Sequence, residues 1–286
     1  MIRNILVTGS KGQLGSEIMY LSKKFPDLNF LFTDIDELDL SKPEDVEAFF
    51  IANQIDACIN CAAYTAVDKA EDDRELAMLV NHTAVEYLAK TCEKYNSLLI
   101  HISTDYVFSG KHYKPYMETD SVSPESYYGE SKLKGEEAVL GNCKKSVVIR
   151  TSWLYSSYGS NFVHTMIRLG MERDSLGVVA DQVGTPTYAA DLAMAIMSVI
   201  TGYDNKRERE IYHFSNEGAI SWYDFAKAIF ELSGMHIQVN PIKGEFYPTK
   251  ATRPFYSVMS KEKIKKEFSI EIPYWRDSLK RCLSKL

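Results

Sequence analysis

The sequence predicts an α/β protein built on a doubly wound parallel sheet, followed by a smaller α/β lobe. Three observations carry that expectation. Short apolar runs alternate with helical patterns through the first 150 residues, the segments between runs are too long for hairpins, and a glycine-spaced turn joins the first run to the first helix. Strands separated by helices pair in parallel through right-handed crossovers, and those crossovers cover both faces of the sheet. The apolar runs are residues 5–8, 29–33, 57–60, 98–103 and 147–151. Ser41-Lys42-Pro43-Glu44 spells a capping box with proline inside the first turn, so a helix is expected from there to about Asn53. Helical patterns follow over about 68–94 and 126–141. After Arg150 the regularity loosens into helical stretches at about 161–173, 188–201, 222–233 and 274–284. Short strands and turns bearing Pro186, Pro241, Pro248, Pro254 and Pro273 separate them. The expected division is therefore 1–150 and 151–286, with parts of 151–215 returning to complete the first sheet. Ligands of such sheets bind at the carboxyl ends of the strands, which points to the cleft between the two lobes.

Composition narrows the function. A chain of 286 residues with 45% hydrophobic and 25% charged residues has ample core for about two domains and is not a disordered chain. Thirty-nine acids against thirty-three bases leave a net charge of -6, so nucleic acid and anionic membrane are not expected as main partners. Residues 189–200 come nearest to a membrane span but carry Asp191 and stop short of the 18 or so apolar residues required. Ile5-Leu6-Val7 is too short for a signal-peptide core, and export is not expected. Five irregularly spaced cysteines suit reduced thiols and a cytoplasmic location. Cys58 and Cys61 match C-x-x-C, but residues three apart on a strand point to opposite faces. With no H-x-x-x-H pair either, no metal site is expected.

Three segments carry chemistry. Gly9-Ser10-Lys11-Gly12-Gln13-Leu14-Gly15 follows the first strand and opens the first helix, spaced Gly-x-x-Gly-x-x-Gly. Such a turn lets the backbone approach a pyrophosphate while helix N–H groups face its charge, in the manner of a Rossmann-type dinucleotide site; a plain strand-to-helix turn is the alternative. Asp34, nineteen residues beyond Gly15, suits an adenosine ribose and hence NAD, or a local turn. Lys11 argues for NADP instead, and the cofactor choice stays open between NADP and NAD. Tyr128 and Lys132 stand four apart on one helix face, where an ammonium is expected to lower the phenol pKa and improve it as an acid-base group. Tyr20/Lys24 and Tyr223/Lys227 share that spacing but do not follow the fourth strand, so solvated or packing roles are expected for them.

With His101-Ile102-Ser103-Thr104-Asp105-Tyr106 at the fourth strand's end, these segments resemble the extended short-chain dehydrogenase/reductase superfamily. Asn60-Cys61-Ala62-Ala63-Tyr64, Arg150-Thr151-Ser152-Trp153, Asp181-Gln182-Val183-Gly184-Thr185-Pro186 and Ala251-Thr252-Arg253-Pro254 resemble one branch, the dTDP-4-dehydrorhamnose reductase family, across nearly the whole chain. The resemblance implies an NAD(P)H-dependent oxidoreductase that reduces the C4 ketone of dTDP-4-dehydro-L-rhamnose, a dTDP-linked 4-keto-6-deoxy sugar. The product would be dTDP-L-rhamnose for surface polysaccharide. It implies catalytic roles for Tyr128, Lys132 and Thr104, and sugar contacts from Thr104, Asp105, Tyr128, Trp153 and Arg253. The dinucleotide would be lined by Gly9, Lys11, Gly12, Gln13, Leu14, Gly15, Asp34, Asp39, Leu40, Ala62, Ala63 and Tyr64, with Tyr128 and Lys132. Trp153 also reads as a core aromatic and Arg253 as half of a surface ion pair. Tyr106 stands where dehydratase relatives carry a glutamate, which fits simple reduction. Two other readings are a reductase or epimerase of another nucleotide-linked 4-keto sugar, and a non-catalytic NADP-binding regulatory subunit. A homodimer is implied, with a divalent cation at the interface in some members, although no ligand cluster in this sequence supports one.

Overall fold

In the computed structural model, which describes residues 2–204 and 207–286, the expected sheet forms. Its strands are β1 (Asn4–Thr8), β2 (Asn29–Phe32), β3 (Ala57–Asn60), β4 (Leu98–Thr104) and β5 (Ser146–Thr151), with Glu210–His213 added at the far edge. From that edge the order is Glu210–His213, β5, β4, β3, β1, β2, and all pairs are parallel. The order reverses between β1 and β3, so the loops after these strands diverge there and leave a crevice.

Alternate residues of each strand feed two separate cores, which is why the central strands are apolar on both faces. Ile5, Val7, Ile59, Ile100 and Ile149 pack under α1 (Gln13–Ser22). Leu6, Cys58, Leu99 and Val148 pack on the other face with α2 (Pro43–Asn53). The segment predicted as one helix over 68–94 is broken. A single 3-10 turn precedes α3 (Arg74–Met78), and a π-helical turn at Leu79–Thr83 separates it from α4 (Ala84–Lys94). The wide turn carries the buried Asn81, whose amide reaches Ser131 of α5 (Tyr127–Asn142) at 3.0 Å.

Beyond β5 come α6 (Phe162–Glu172), α7 (Ala189–Gly202), α8 (Trp222–Leu232), α9 (Glu262–Phe268) and α10 (Trp275–Leu283). The apolar α7 joins the first core beside α1, while α6, α8 and α10 build a third core of their own around Phe225 and Trp275. Glu17 of α1 ties the two parts together, accepting from the Ser156 hydroxyl at 2.7 Å and pairing with Lys285 at 3.4 Å.

Two local expectations are corrected, and one helix is added. The capping box at Ser41 does not form: Lys42 occupies the N-cap, and the Ser41 hydroxyl instead donates to Asp39 at 2.7 Å. Pro241 lies not in a turn but within the strand Gln238–Ile242, paired with Ser175–Val179 in a two-stranded sheet. With a single partner strand, the missing proline N–H faces away from the ladder. Helix α9 was not anticipated, because its lysine-rich sequence buries only Ile264.

Candidate active site

Between the carboxyl ends of the strands and the second lobe lies a cleft of about 1240 Å³. One end is formed by the glycine turn. Gly9 has φ +62°, and a Cβ there would sit 2.7 Å from the backbone nitrogen of Ala62. A Cβ on Gly15 would meet Gly9 O and Ser10 Cα, both at 2.5 Å. The glycines thus bring two loops and a helix into contacts that no side chain permits. Gly12 is the N-cap of α1 and no side chain caps it, so the first amides of the helix keep their N–H groups for a ligand. This is a cradle suited to a pyrophosphate, and its residues fit a nicotinamide dinucleotide.

Gly9, Gly12, Gln13, Leu14, Gly15 and Ala63 line the cleft, whereas Lys11, Asp34, Asp39, Leu40, Ala62 and Tyr64 lie outside its walls. The second group has structural partners. Asp34 accepts from the backbone N–H of Lys11 at 3.0 Å and of Ile35 at 2.9 Å, fastening the end of β2 to the glycine turn. Lys11 pairs with Asp36 at 2.9 Å and Glu37 at 3.1 Å. Asp39 holds Ser41, Leu40 packs into the second core, and Tyr64 bonds Asp73 at 2.8 Å and Asn81 at 2.9 Å.

Midway along the cleft stand Thr104, Asp105, Tyr128 and Lys132, all buried. Ser126 caps α5 by accepting from Gly129 N–H at 3.2 Å, which sets Tyr128 and Lys132 on the face turned toward β4. A Cβ on Gly129 would lie 2.3 Å from Tyr106 O, so this glycine lets α5 seat against the turn after β4. Thr104 donates to Asp105 Oδ1 at 3.0 Å and accepts from Tyr106 N–H at 3.2 Å. Burial pushes the Asp105 carboxyl up to about 6, and its Oδ2 has no hydrogen-bond partner among the described residues.

Burial also raises the Tyr128 phenol above its ordinary range, with a hydrogen bond to Thr104 pulling the other way. The expected lowering by Lys132 is not seen: Asp105 and Tyr106 add to burial in raising the phenol, and Thr104 is what opposes them. Burial drives the Lys132 amine down to about 8. A protonated phenol is the form that can donate a proton. The Tyr20/Lys24 and Tyr223/Lys227 pairs lie outside the cleft walls.

A family model for the RmlD substrate binding domain matches residues 3–286. The dTDP-4-dehydrorhamnose reductase of Aggregatibacter actinomycetemcomitans is 41% identical over 287 residues, covering 96% of this chain and 97% of that protein. The crystal structure of a dTDP-4-dehydrorhamnose reductase from Clostridium acetobutylicum superposes with a TM-score of 0.93 at 40% identity, over 99% of each chain. That of the Bacillus anthracis dTDP-4-dehydrorhamnose reductase in complex with NADP gives 0.94 at 36% identity, over the whole of both chains. This chain belongs to the dTDP-4-dehydrorhamnose reductase family. Its fold is the Rossmann-like α/β fold of these reductases.

Family membership gives the far half of the cleft its interest as a sugar-nucleotide site. Trp153 is only partly buried, takes φ +47°, and stacks on Trp222 with ring centroids 3.6 Å apart and planes at 11°. A side chain at Gly184 would strike the Trp153 ring at 2.7 Å. Holding a bulky residue in left-handed geometry is costly, and the stack on one side with Gly184 on the other keeps it there. Arg253 lines the cleft too, donating to the Tyr106 hydroxyl at 3.0 Å and to Asp68 at 2.5 Å. Both readings of this arginine therefore meet in one residue: an ion pair, but at the cleft wall.

Several site residues escaped sequence reasoning. Trp222 begins α8 directly after Ser221, which caps that helix with Asp224 in a reciprocal box, and only the fold carries it to Trp153. Asn60 and His101 are polar residues inside apolar strands, a signal that was available, since a buried polar group needs a partner. Glu136, one turn beyond Lys132, receives Arg150 at 2.7 Å and the Ser103 hydroxyl at 2.5 Å in full burial.

Proposed function

We propose that this chain reduces the C4 ketone of dTDP-4-dehydro-L-rhamnose at the Thr104–Tyr128–Lys132 group, using NADPH or NADH. The observation that carries the reading is the burial of these three side chains in one cleft whose other end is the glycine cradle. When bound, the nicotinamide cofactor supplies the hydride. Gly9, Gly12 and Gly15 with the first amides of α1 would hold its pyrophosphate, and Lys132 its nicotinamide ribose. Tyr128 donates the phenolic proton to the oxygen that becomes the C4 hydroxyl, and Thr104 hydrogen-bonds the same oxygen. Asp105, Trp153 and Arg253 orient the sugar nucleotide, whose binding energy can be used to align the ketone.

Two further assignments go with this reading. Residues 1–150 carry the cofactor, completed by the edge strand Glu210–His213 and α7, while most of 151–286 carries the sugar nucleotide. The protein works in the cytoplasm as a homodimer, a point for sedimentation analysis. For the reaction itself the test is Tyr128→Phe, which keeps the ring that packs edge-on against Tyr106 at 5.5 Å. Turnover should fall by about 10²-fold to 10⁴-fold, the range for a positioned acid-base group, with NADPH affinity little changed. Full turnover in that variant would refute the assignment.

A further inference from the structure

Tyr106 is joined to Thr104, to α5 and to the Tyr128 ring at once. It lies in the single 3-10 turn Asp105–Val107 that follows β4, and its backbone N–H donates to Thr104 Oγ1 at 3.2 Å. Its carbonyl oxygen is the surface on which α5 seats through Gly129. Its ring stands edge-on to the Tyr128 ring, with centroids 5.5 Å apart and planes at 76°. The Tyr106 hydroxyl is held from the other lobe: Arg253 Nη1 donates to it at 3.0 Å, while Nη2 of the same guanidinium donates to Asp68 at 2.5 Å. The segment bearing Arg253 is itself fixed on both sides. Ala251 N–H donates to Asp68 Oδ1 at 3.1 Å and Tyr256 N–H to Gly110 O at 3.0 Å, and a Cβ on Gly110 would lie 2.4 Å from Pro254 Cβ. The rigid fork of an arginine serves two acceptors in set directions, so Arg253 fixes the Tyr106 hydroxyl relative to Asp68.

We infer that Tyr106 is a positioning residue for Tyr128: anchored at its hydroxyl by Arg253, its ring is the wall that holds the Tyr128 phenol in line with the ketone. The capped start of α5 fixes the backbone of Tyr128 but not the rotation of its ring about χ1 and χ2. The phenolic oxygen is at the far end of that side chain, where a small rotation becomes a large displacement. A shift of about 1 Å from the reacting geometry can cost a factor of about 10² in rate. The other neighbours of Tyr128 in this small core are weaker guides. Ala70 and Ala77 are buried against it but offer one methyl each, whereas an edge-on aromatic pair has a preferred geometry. Tyr64 and Tyr127 of the same cluster are engaged elsewhere, by Asp73 and by the Arg74 guanidinium. The inference rests on the proposed role of Tyr128 as the acid.

The test compares Tyr106→Leu, which removes the ring, with Tyr106→Phe, which keeps it, in the full chain with NADPH and dTDP-4-dehydro-L-rhamnose. In Tyr106→Leu kcat should fall by about 10-fold to 100-fold, with KM for the sugar nucleotide and NADPH affinity within about threefold of the parent. The solvent deuterium isotope effect on kcat should rise with it, because proton transfer from a misaligned phenol becomes the slower step. A protein that is merely less stable loses active molecules without changing that isotope effect. Tyr106→Phe should recover most of the rate and stop about threefold short of the parent, the share of the lost Arg253 hydrogen bond. Parental kcat in a folded Tyr106→Leu, or a slow variant with an unmoved isotope effect, would overturn the inference. So would a Tyr106→Phe as slow as Tyr106→Leu, and full parental rate in Tyr106→Phe would overturn the part given to Arg253. If the leucine variant does not fold, Tyr106→Met, with its adaptable chain, takes its place. Tyr128→Phe separates the two levels: full turnover there would overturn the role of Tyr128 as the acid, whatever the Tyr106 variants show.

Discussion

One methyl group at Gly15 should weaken cofactor binding far more than one at Gly12, although both glycines belong to the same turn. At Gly15 the new Cβ would face two backbone atoms at 2.5 Å, against the 3.4 Å of ordinary contact, so α1 and the glycine turn must part by roughly 1 Å. That displacement costs one or two charge-assisted hydrogen bonds from the helix amides to the pyrophosphate, each about 1.5–3 kcal/mol. The expected loss in NADPH affinity is therefore roughly 10-fold to 100-fold. At Gly12 the Cβ would meet only Gly9 O, at 3.2 Å, and its φ of -77° suits any residue. Gly12→Ala should stay within about threefold of the parent affinity. Fluorescence titration of NADPH against the parent and both variants makes the comparison, with thermal melts to confirm folding. Parent affinity in a folded Gly15→Ala, or equal losses at both sites, would refute the cradle geometry.

Other consequences follow from buried charge and packing. Glu136→Gln leaves Arg150 buried beside a neutral partner, and should destabilise the fold by about 3–5 kcal/mol, read by denaturant unfolding; a change below about 1 kcal/mol would contradict the burial of that pair. For Asp105 the folded-state value of about 6 lies above the ordinary 3.8, so the native state holds the proton more tightly. Stability from this group is present below about pH 4 and is lost as pH rises to about 6, a swing on the order of 3 kcal/mol. Asp105→Asn should accordingly flatten that part of the stability profile and raise the melting temperature at pH 7; a lower melting temperature at pH 7 would count against the desolvation argument. Trp222→Leu removes the stack under Trp153, worth about 1 kcal/mol. KM for the sugar nucleotide should rise several-fold with kcat largely kept, and an unchanged KM would exclude Trp153 from substrate contact.

The parallel sheet was legible because strands buried on both faces carry continuous apolar runs, as residues 57–59 and 147–149 do. The turn Gly9–Gly15 and the pair Tyr128/Lys132 were legible for a different reason, since each is a local spelling set by a short element. What escaped depends on through-space competition. The phenol of Tyr128 is raised, not lowered, because spacing reports the ammonium one turn away but not the loss of solvent around both groups. The break at Leu79–Thr83 keeps helical periodicity on either side and differs only in where Asn81 must reach. Ser41 had two acceptable jobs, and the neighbouring Asp39 won it. Trp222 meets Trp153 across 69 residues of chain, a contact no spacing rule encodes.

The central claim is chemical: a ketone on a dTDP-linked sugar is reduced at Tyr128 with hydride from a nicotinamide cofactor. Its most direct test is the loss of NADPH and NADH absorbance with authentic dTDP-4-dehydro-L-rhamnose beside other nucleotide-linked 4-keto sugars, with products identified by mass and NMR. The account predicts one cofactor oxidised per dTDP-L-rhamnose formed. Oxidation only with a different sugar nucleotide, or conversion of the substrate without net cofactor oxidation, would contradict it.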